Sequence, residues 1–175
     1  CMCAAGAGEL VILKWLRQHS ASWDEYSLID AAACGHLDVM QWAIENGCPM
    51  NASVSHSAAA GGWEGGWEDE ADSLETLKFL HKHSCPFDEG TCVNAVYSGQ
   101  LKKLVWLRSP PINCPWDAST TQAALHNCQW DMLKFALDNG CPYHPANRKT
   151  ISDVASTMTA RINDERETNS TKSED

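Results

Sequence analysis

The chain has 175 residues, 43% of them apolar, a formal charge of −10, eight Trp and nine Cys. That length fits one ordinary domain or a short array of repeats. The acidic balance excludes a nucleic-acid backbone or an anionic membrane surface as the expected partner, since both need clustered Lys and Arg. No apolar run reaches transmembrane length, and no basic start leads into an apolar signal core. Nine is an odd number of Cys, and their spacing follows a period that no disulfide framework predicts. The chain is therefore read as intracellular, in the reducing cytoplasm or nucleus. It begins "CMCAAGAGEL", as though inside a helix, and is read as a fragment of a longer protein.

In chain order, the first patterned stretch is "LVILKWL", over 10–16. Its grammar returns as "LDVMQWA" (37–43), "LETLKFL" (74–80), "LKKLVWL" (101–107) and "WDMLKFA" (130–136). Four columns run through these stretches. Leu10, Leu37, Leu74, Leu101 and Trp130 form the first. Leu13, Met40, Leu77, Leu104 and Leu133 form the second. Trp15, Trp42, Phe79, Trp106 and Phe135 form the third, and Leu16, Ala43, Leu80, Leu107 and Ala136 the fourth. Apolar residues at i, i+3, i+5 and i+6 predict a buried helix and do not suit an alternating strand.

Before each of the last four stretches stands an Ala-rich one: "LIDAAACG", "SHSAAAGG", "CVNAVYSG" and "TQAALHNC". These predict helices with small side chains for close packing. Asp24, Asn51, Asp88 and Asp117 stand where an N-cap or turn residue belongs. Gly47 and Gly140 follow the second helix as C-caps, and Pro49, Pro86, Pro115 and Pro142 come where the helix has stopped. The period is 27 residues from Trp15 to Trp42, Leu74 to Leu101 and Cys114 to Cys141. It lengthens to 37 from Cys48 to Cys85 and to 29 from Cys85 to Cys114. The unit is helix, tight turn, helix, loop. One such pair cannot bury its apolar face alone, whereas stacked pairs can, so an all-α helical-repeat solenoid is expected.

The stretch "AAACGHLDVMQWAIENGCP" (31–49) resembles the ankyrin repeat. Gly35, His36 and Leu37 match the family's Gly-His junction, and Gly47 its Gly after the second helix. The Trp-Leu and Gly-Cys-Pro-Trp pattern is similar to divergent ankyrin-like arrays of algae, protists and large DNA viruses. The resemblance covers roughly residues 1–145. It departs from the family in lacking Thr-Pro-Leu-His, of which Thr91 and Thr120 alone remain. The unit is also about six residues shorter than the family's usual ~33, with the missing piece in the loop between units, so short or absent β-hairpin fingers are expected. The resemblance implies a protein–protein interaction scaffold without catalysis.

The Cys-Pro series ("GCPMN", "SCPFD", "NCPWD", "GCPYH") could bind haem iron or zinc through thiolates. Units stacked about 10 Å apart, one helix diameter, set Cys48, Cys85, Cys114 and Cys141 on a ladder. Zinc needs four ligands at about 2.3 Å from one point, which such a ladder does not offer. The preferred reading is a helix stop and a plug between units, with Ala21 taking the Cys place in the first. The aromatic column Trp23, Met50, Phe87, Trp116 and Tyr143 could stack on a ligand; packing between loops is preferred because Met50 fits it. "HKHSC" (81–85) could hold a metal through His81, His83 and Cys85. In register His83 aligns with His19, Asn46 and Asn139, a helix C-terminus where His and Asn both belong. No nucleophile elbow, phosphate loop, HExxH or Cys-x-x-Cys is present, so no enzyme and no cofactor are expected.

The long gap is "GGWEGGWEDEAD" (61–72), where Trp63–Asp72 are extra between the two helices of the third unit. An acidic, Gly-rich stretch cannot build its own core, so its Trp are expected to be partly exposed. Trp63, Glu64, Trp67, Glu68, Asp69 and Glu70 are the candidate partner-binding residues, suited to a protein with a basic surface. The doubled "GGWE" is equally what replication slippage would leave in a tolerant surface loop. A capping helix over about 147–160 is expected, with Ile151, Val154, Ala155 and Met158 on one face, then a polar disordered tail over 161–175. Together residues 1–160 are expected to form one stack, with a truncated first unit, working as a monomeric protein-binding scaffold. Tyr26, Glu25, Glu89, His126 and Tyr97 are secondary candidates on its concave side. Two alternatives stay open: a structural segment of a longer array, and a Cys-Pro haem or zinc sensor.

Overall fold

Helix caps and left-handed turns cut the chain into pairs. The structure, a computed structural model, describes residues 1–24, 26–61, 70–154 and 156, with the backbone alone over 70–73. Among the described residues every regular element is helical and none is a strand. In order they are α1 (Met2–Gly6), α2 (Leu10–Gln18), α3 (Ser27–Cys34), α4 (Leu37–Glu45) and α5 (Ala52–Ala60). Then come α6 (Glu70–Lys82), α7 (Glu89–Tyr97), α8 (Leu101–Arg108), α9 (Ala118–His126) and α10 (Trp130–Asp138). A 3₁₀ turn over Pro145–Asn147 leads into helical residues 148–154. No helix among the described residues is long and apolar enough to cross a membrane.

Each odd-numbered helix packs on the even-numbered helix after it, and α1, α3, α5, α7 and α9 also touch one another in chain order. Small side chains allow that second contact: Ala31, Ala32, Ala58, Ala59, Ala95 and Ala124 are all buried. Four of the tight turns place a residue in the left-handed region: Gly8 at φ +71°, Gly35 at +73°, Gly99 at +71° and Cys128 at +53°. Gly47 and Gly140, at φ +76° and +77°, stop α4 and α10 as expected.

The expected N-caps hold at three positions. The Asn51 side chain accepts from Ser53 N–H at 3.0 Å, and Asp117 accepts from Ser119 N–H at 2.9 Å. Asp88 accepts from Thr91 N–H while the Thr91 hydroxyl accepts from Asp88 N–H, both at 3.3 Å, a capping box. Asp24 differs. Tyr26 precedes α3, and Asp24 braces the turn by accepting from Tyr26 N–H at 3.1 Å and the Ser27 hydroxyl at 2.8 Å.

Of the four columns expected on one buried face, two are core. Leu13, Met40, Leu77, Leu104 and Leu133 are buried, as are Ala43, Leu80, Leu107 and Ala136, while Leu16 is half-buried. The other two columns are corrected to the flanks: Leu10, Leu37, Leu74 and Leu101 are half-buried, and so are Trp42, Phe79, Trp106 and Phe135. Trp15 is 55% exposed. Helix geometry explains this. At about 100° per residue, i+2, i+3 and i+6 share one side, while i and i+5 fall on its two edges. The i+2 position is thus the third core column from α4 on, with Val39, Thr76, Lys103 and Met132 all buried, while Ile12 on α2 is exposed.

The insertion is also shorter as a connection than its 63–72 span. Helix α6 starts at Glu70, four residues ahead of the patterned stretch, so the backbone of 70–72 is helical. At the other end Ile151 is buried and Val154 packs on the core. Ala155, Met158 and the expected tail lie outside the described residues.

Candidate interaction surface

Each Cys of the Cys-Pro series is buried and engaged with the unit before it. The Cys85 thiol donates to the Asn51 carbonyl at 3.6 Å, Cys114 to the Asp88 carbonyl at 3.3 Å and Cys141 to the Asp117 carbonyl at 3.3 Å. The acceptor is each time the carbonyl of the residue that caps the preceding odd helix. Burial pushes the Cys48, Cys85 and Cys141 thiols up to about 11, and the Cys92 thiol is raised by its hydrogen bond with Cys114 and by burial. A thiol that is buried, bonded and held protonated is a poor nucleophile and a poor ligand. The hydroxyl column beside it works the same way: Ser55 donates to the Pro86 carbonyl at 2.9 Å and Thr121 to the Pro142 carbonyl at 3.0 Å.

Three members of the aromatic column, Trp23, Phe87 and Trp116, pack on the aromatic of the following even helix. Trp23–Trp42, Phe87–Trp106 and Trp116–Phe135 meet edge to face, with centroids 5.9, 6.3 and 6.2 Å apart. Arg17 lies over Trp23 and Arg108 over Trp116, at 4.7 and 4.1 Å from the centroids. The expected loop-to-loop packing is thus loop-to-helix, with two guanidinium groups covering the rings. In "HKHSC", His83 lies against Phe79 and His81 against Phe87, with centroids 4.4 and 6.0 Å apart. The residues aligned with His83 close their helices: His19 Nδ1 meets the Trp15 carbonyl at 2.9 Å, and Asn46 and Asn139 donate to the Trp42 and Phe135 carbonyls at 2.8 Å. Among the described residues, no three His, Cys, Asp or Glu side chains converge as a metal site would need.

Of the insertion candidates, Trp63, Glu64, Trp67, Glu68 and Asp69 lie outside the described residues. Glu70 is the first residue of α6. Of the secondary candidates, Tyr26, Glu89, Tyr97 and His126 are all exposed and stand on or beside α3, α7 and α9; Glu25 lies outside the described residues. These are not one cluster; they are spread along the line of odd helices.

Two features of this surface were missed from the sequence. Within residues 1–144 every Lys and Arg lies on α2, α6, α8 or α10, and none on an odd helix or the turn before it. The odd helices and their turns carry Asp24, Asp30, Asp88, Glu89 and Asp117 instead. The signal was present in the periodic alignment, as a column-by-column charge count. The second is the His56–Asp88 contact between α5 and the α7 cap, with Nε2 2.5 Å from Oδ1. Burial works to raise the Asp88 carboxyl, but His56 and the Thr91 and Gly90 amides outweigh it and hold Asp88 below the usual carboxylate range.

No family model matches the chain, and neither a curated protein nor a solved structure matches it significantly.

Proposed function

We propose that this chain is a non-catalytic scaffold that binds another protein, built as a short-unit helical-repeat solenoid of ankyrin type. The observation that carries the reading is the order of contacts: odd helix on odd helix along the chain, each backed by its even partner. Such a stack leaves one long face for a partner, which is how repeat arrays bind. Exposed Tyr26 and Tyr97, with acids and no Lys or Arg along the odd helices, suit a partner that presents basic residues. The acidic, Trp-bearing insertion suits the same class of partner. Nine free thiols suit a reducing compartment.

Affinity capture from source-cell lysate under reducing conditions tests this, with three chains compared after circular dichroism shows all three helical. These are the intact chain, the Tyr26→Ser/Tyr97→Ser variant, and a chain lacking 63–72. A partner lost by the Tyr variant places recognition on the odd-helix face. A partner lost by the deletion places it on the insertion. Capture of nothing by the intact chain counts against the scaffold and favours a structural segment of a longer array.

A further inference from the structure

We propose that Lys103 is the C-cap of α5, supplied by the next unit where the chain leaves the helical path at Gly61, at the root of the insertion. Lys103 sits on α8 at the i+2 core column, where Val39, Thr76 and Met132 stand in other units. Its side chain is buried, only 1% exposed. The ammonium donates to three carbonyls: Ala58 at 3.1 Å, Ala59 at 3.0 Å and Gly61 at 2.7 Å. All three of its hydrogens are thereby used, at the negative end of a helix.

The matching carbonyls in ordinary units show why a lysine belongs here. Ala31 and Ala32 stand 27 residues before Ala58 and Ala59. The Ala31 carbonyl accepts from His36 N–H at 3.0 Å and the Ala32 carbonyl from Gly35 N–H at 3.4 Å. The same five-residue closure recurs where Glu9 N–H meets the Ala4 carbonyl and Gln129 N–H meets the Ala124 carbonyl, both at 2.9 Å. These closures depend on the left-handed turn residue after the helix. Just before that residue the chain is still near helical: ψ is 0° at Ala7, −10° at Ser98 and 9° at Asn127. At Gly61, the corresponding position, ψ is 156°, so the chain leaves the helical path at that residue. Carbonyls left open at a buried helix end are costly, and a cation from the neighbouring unit closes them.

The geometry of the stack aims the i+2 column at this spot. One unit earlier, a methyl group placed on the turn residue Gly35 would stand 3.6 Å from the Thr76 hydroxyl. Lys103 reaches the same place relative to α5. The preceding unit pins the root from the other side: a Cβ on Gly61 would lie 2.5 Å from the Ala33 carbonyl, so only glycine fits. The insertion and the buried lysine are therefore one device, and this holds whether or not the insertion binds a partner.

A double-mutant cycle tests the pairing. Removing 63–72 joins Gly62 to Ser73 and writes "AAAGGSL" where another unit has "AAACGHL". Lys103→Met, the residue of Met132 in the same column, is made in the full chain and in the deletion chain. In the full chain it is expected to lower Tm by roughly 5–10 °C, because a buried partner is removed and its acceptors are left open. In the deletion chain the turn amides close the helix, the buried charge is no longer needed, and Tm changes by less than about 2 °C or rises. Hydrogen exchange at Gly61 N–H, which donates to the Ser57 carbonyl at 2.7 Å, gives a second readout and should quicken only in the full-length variant. Failure of the full-length variant to fold, with the deletion variant folded, is the extreme form of the expected result. Equal losses in both backgrounds, or failure of both variants to fold, would overturn the pairing and make Lys103 an ordinary core residue.

Discussion

The odd and even helices solve different halves of one packing problem. The odd helices bury mostly Ala, Ser, Thr and Cys, with Leu28, Val54 and Val96 among them, so their backbones approach closely and each touches the next. The even helices bury Leu and Met against the odd ones and hold their aromatics at the edge. Small residues thus provide continuity along the chain, and large residues provide the apolar burial within each pair. The same division governs charge, since through residue 144 all Lys and Arg sit on even helices. The helices that bury the small residues are also the ones that carry acids and no Lys or Arg.

The largest expected effect comes from emptying the even side. Leu104→Ala removes a fully buried side chain of α8, and should cost about 2–5 kcal/mol, read as a fall in the urea midpoint. The odd side should fail in the opposite sense, by overfilling. Ala95→Leu forces a large side chain where no space exists and should cost about 1–3 kcal/mol, whereas Ala33→Leu, on a half-buried position of α3, should cost much less. If the two leucines cost the same, the odd helices are not in close register and the comparison breaks.

Alkaline pH should open the seams between odd helices. Thiols raised from their ordinary value near 9 to about 11 stay protonated in the folded chain over a range where the unfolded chain ionises. Their stabilising contribution is complete below pH 9 and is lost as pH rises to about 11. Burial lowers Lys103 to about 8, so between that pH and its ordinary 10.5 the unfolded chain holds the extra proton and stability rises with pH. Thermal melts from pH 7 to 11 should therefore show a modest gain up to pH 9 and then a decline. The Lys103→Met chain should lack the gain, and a flat profile above pH 9 would contradict buried thiols.

Smaller effects sharpen the same contrast. Asp88→Ala removes a capping box and should cost about 1 kcal/mol in denaturant melts. Its carboxyl lies below the ordinary 3.8, so its contribution is present above that pH and is lost as pH falls through the lowered value; the variant should show less acid sensitivity. Tyr97→Ser, on the exposed odd face, should change stability by no more than about 0.5 kcal/mol, and any loss of partner capture would then report binding.

Much of this was legible before any coordinates. Period predicts which residues share a helix face, so the Leu13 to Leu133 and Leu16 to Ala136 columns were readable, as were the caps at Asn51, Asp88 and Asp117. The width of the buried face was not readable, because an aromatic at the edge of an apolar stripe has the same spacing as one inside it. Trp15, Trp42 and Trp106 share the spacing of core residues yet lie on the flank for that reason. The insertion was visible as a break in period, and its partner Lys103 was not, because a lysine in a patterned helix ordinarily marks the solvent side.

By itself the sequence determined most local conformations: where most helices start and stop, with α3 and α6 the exceptions, and which side chains are small enough for a close contact. Those depend on neighbours within a few residues, and a repeated grammar states them several times over. The tertiary structure alone decided which carbonyl each buried polar group would find. Cys114 donating to Asp88, Ser55 to Pro86 and Lys103 to Ala58 all join adjacent units. Such bonds form because burial leaves a polar group no water to turn to, and the nearest acceptor belongs to a residue far away in the chain.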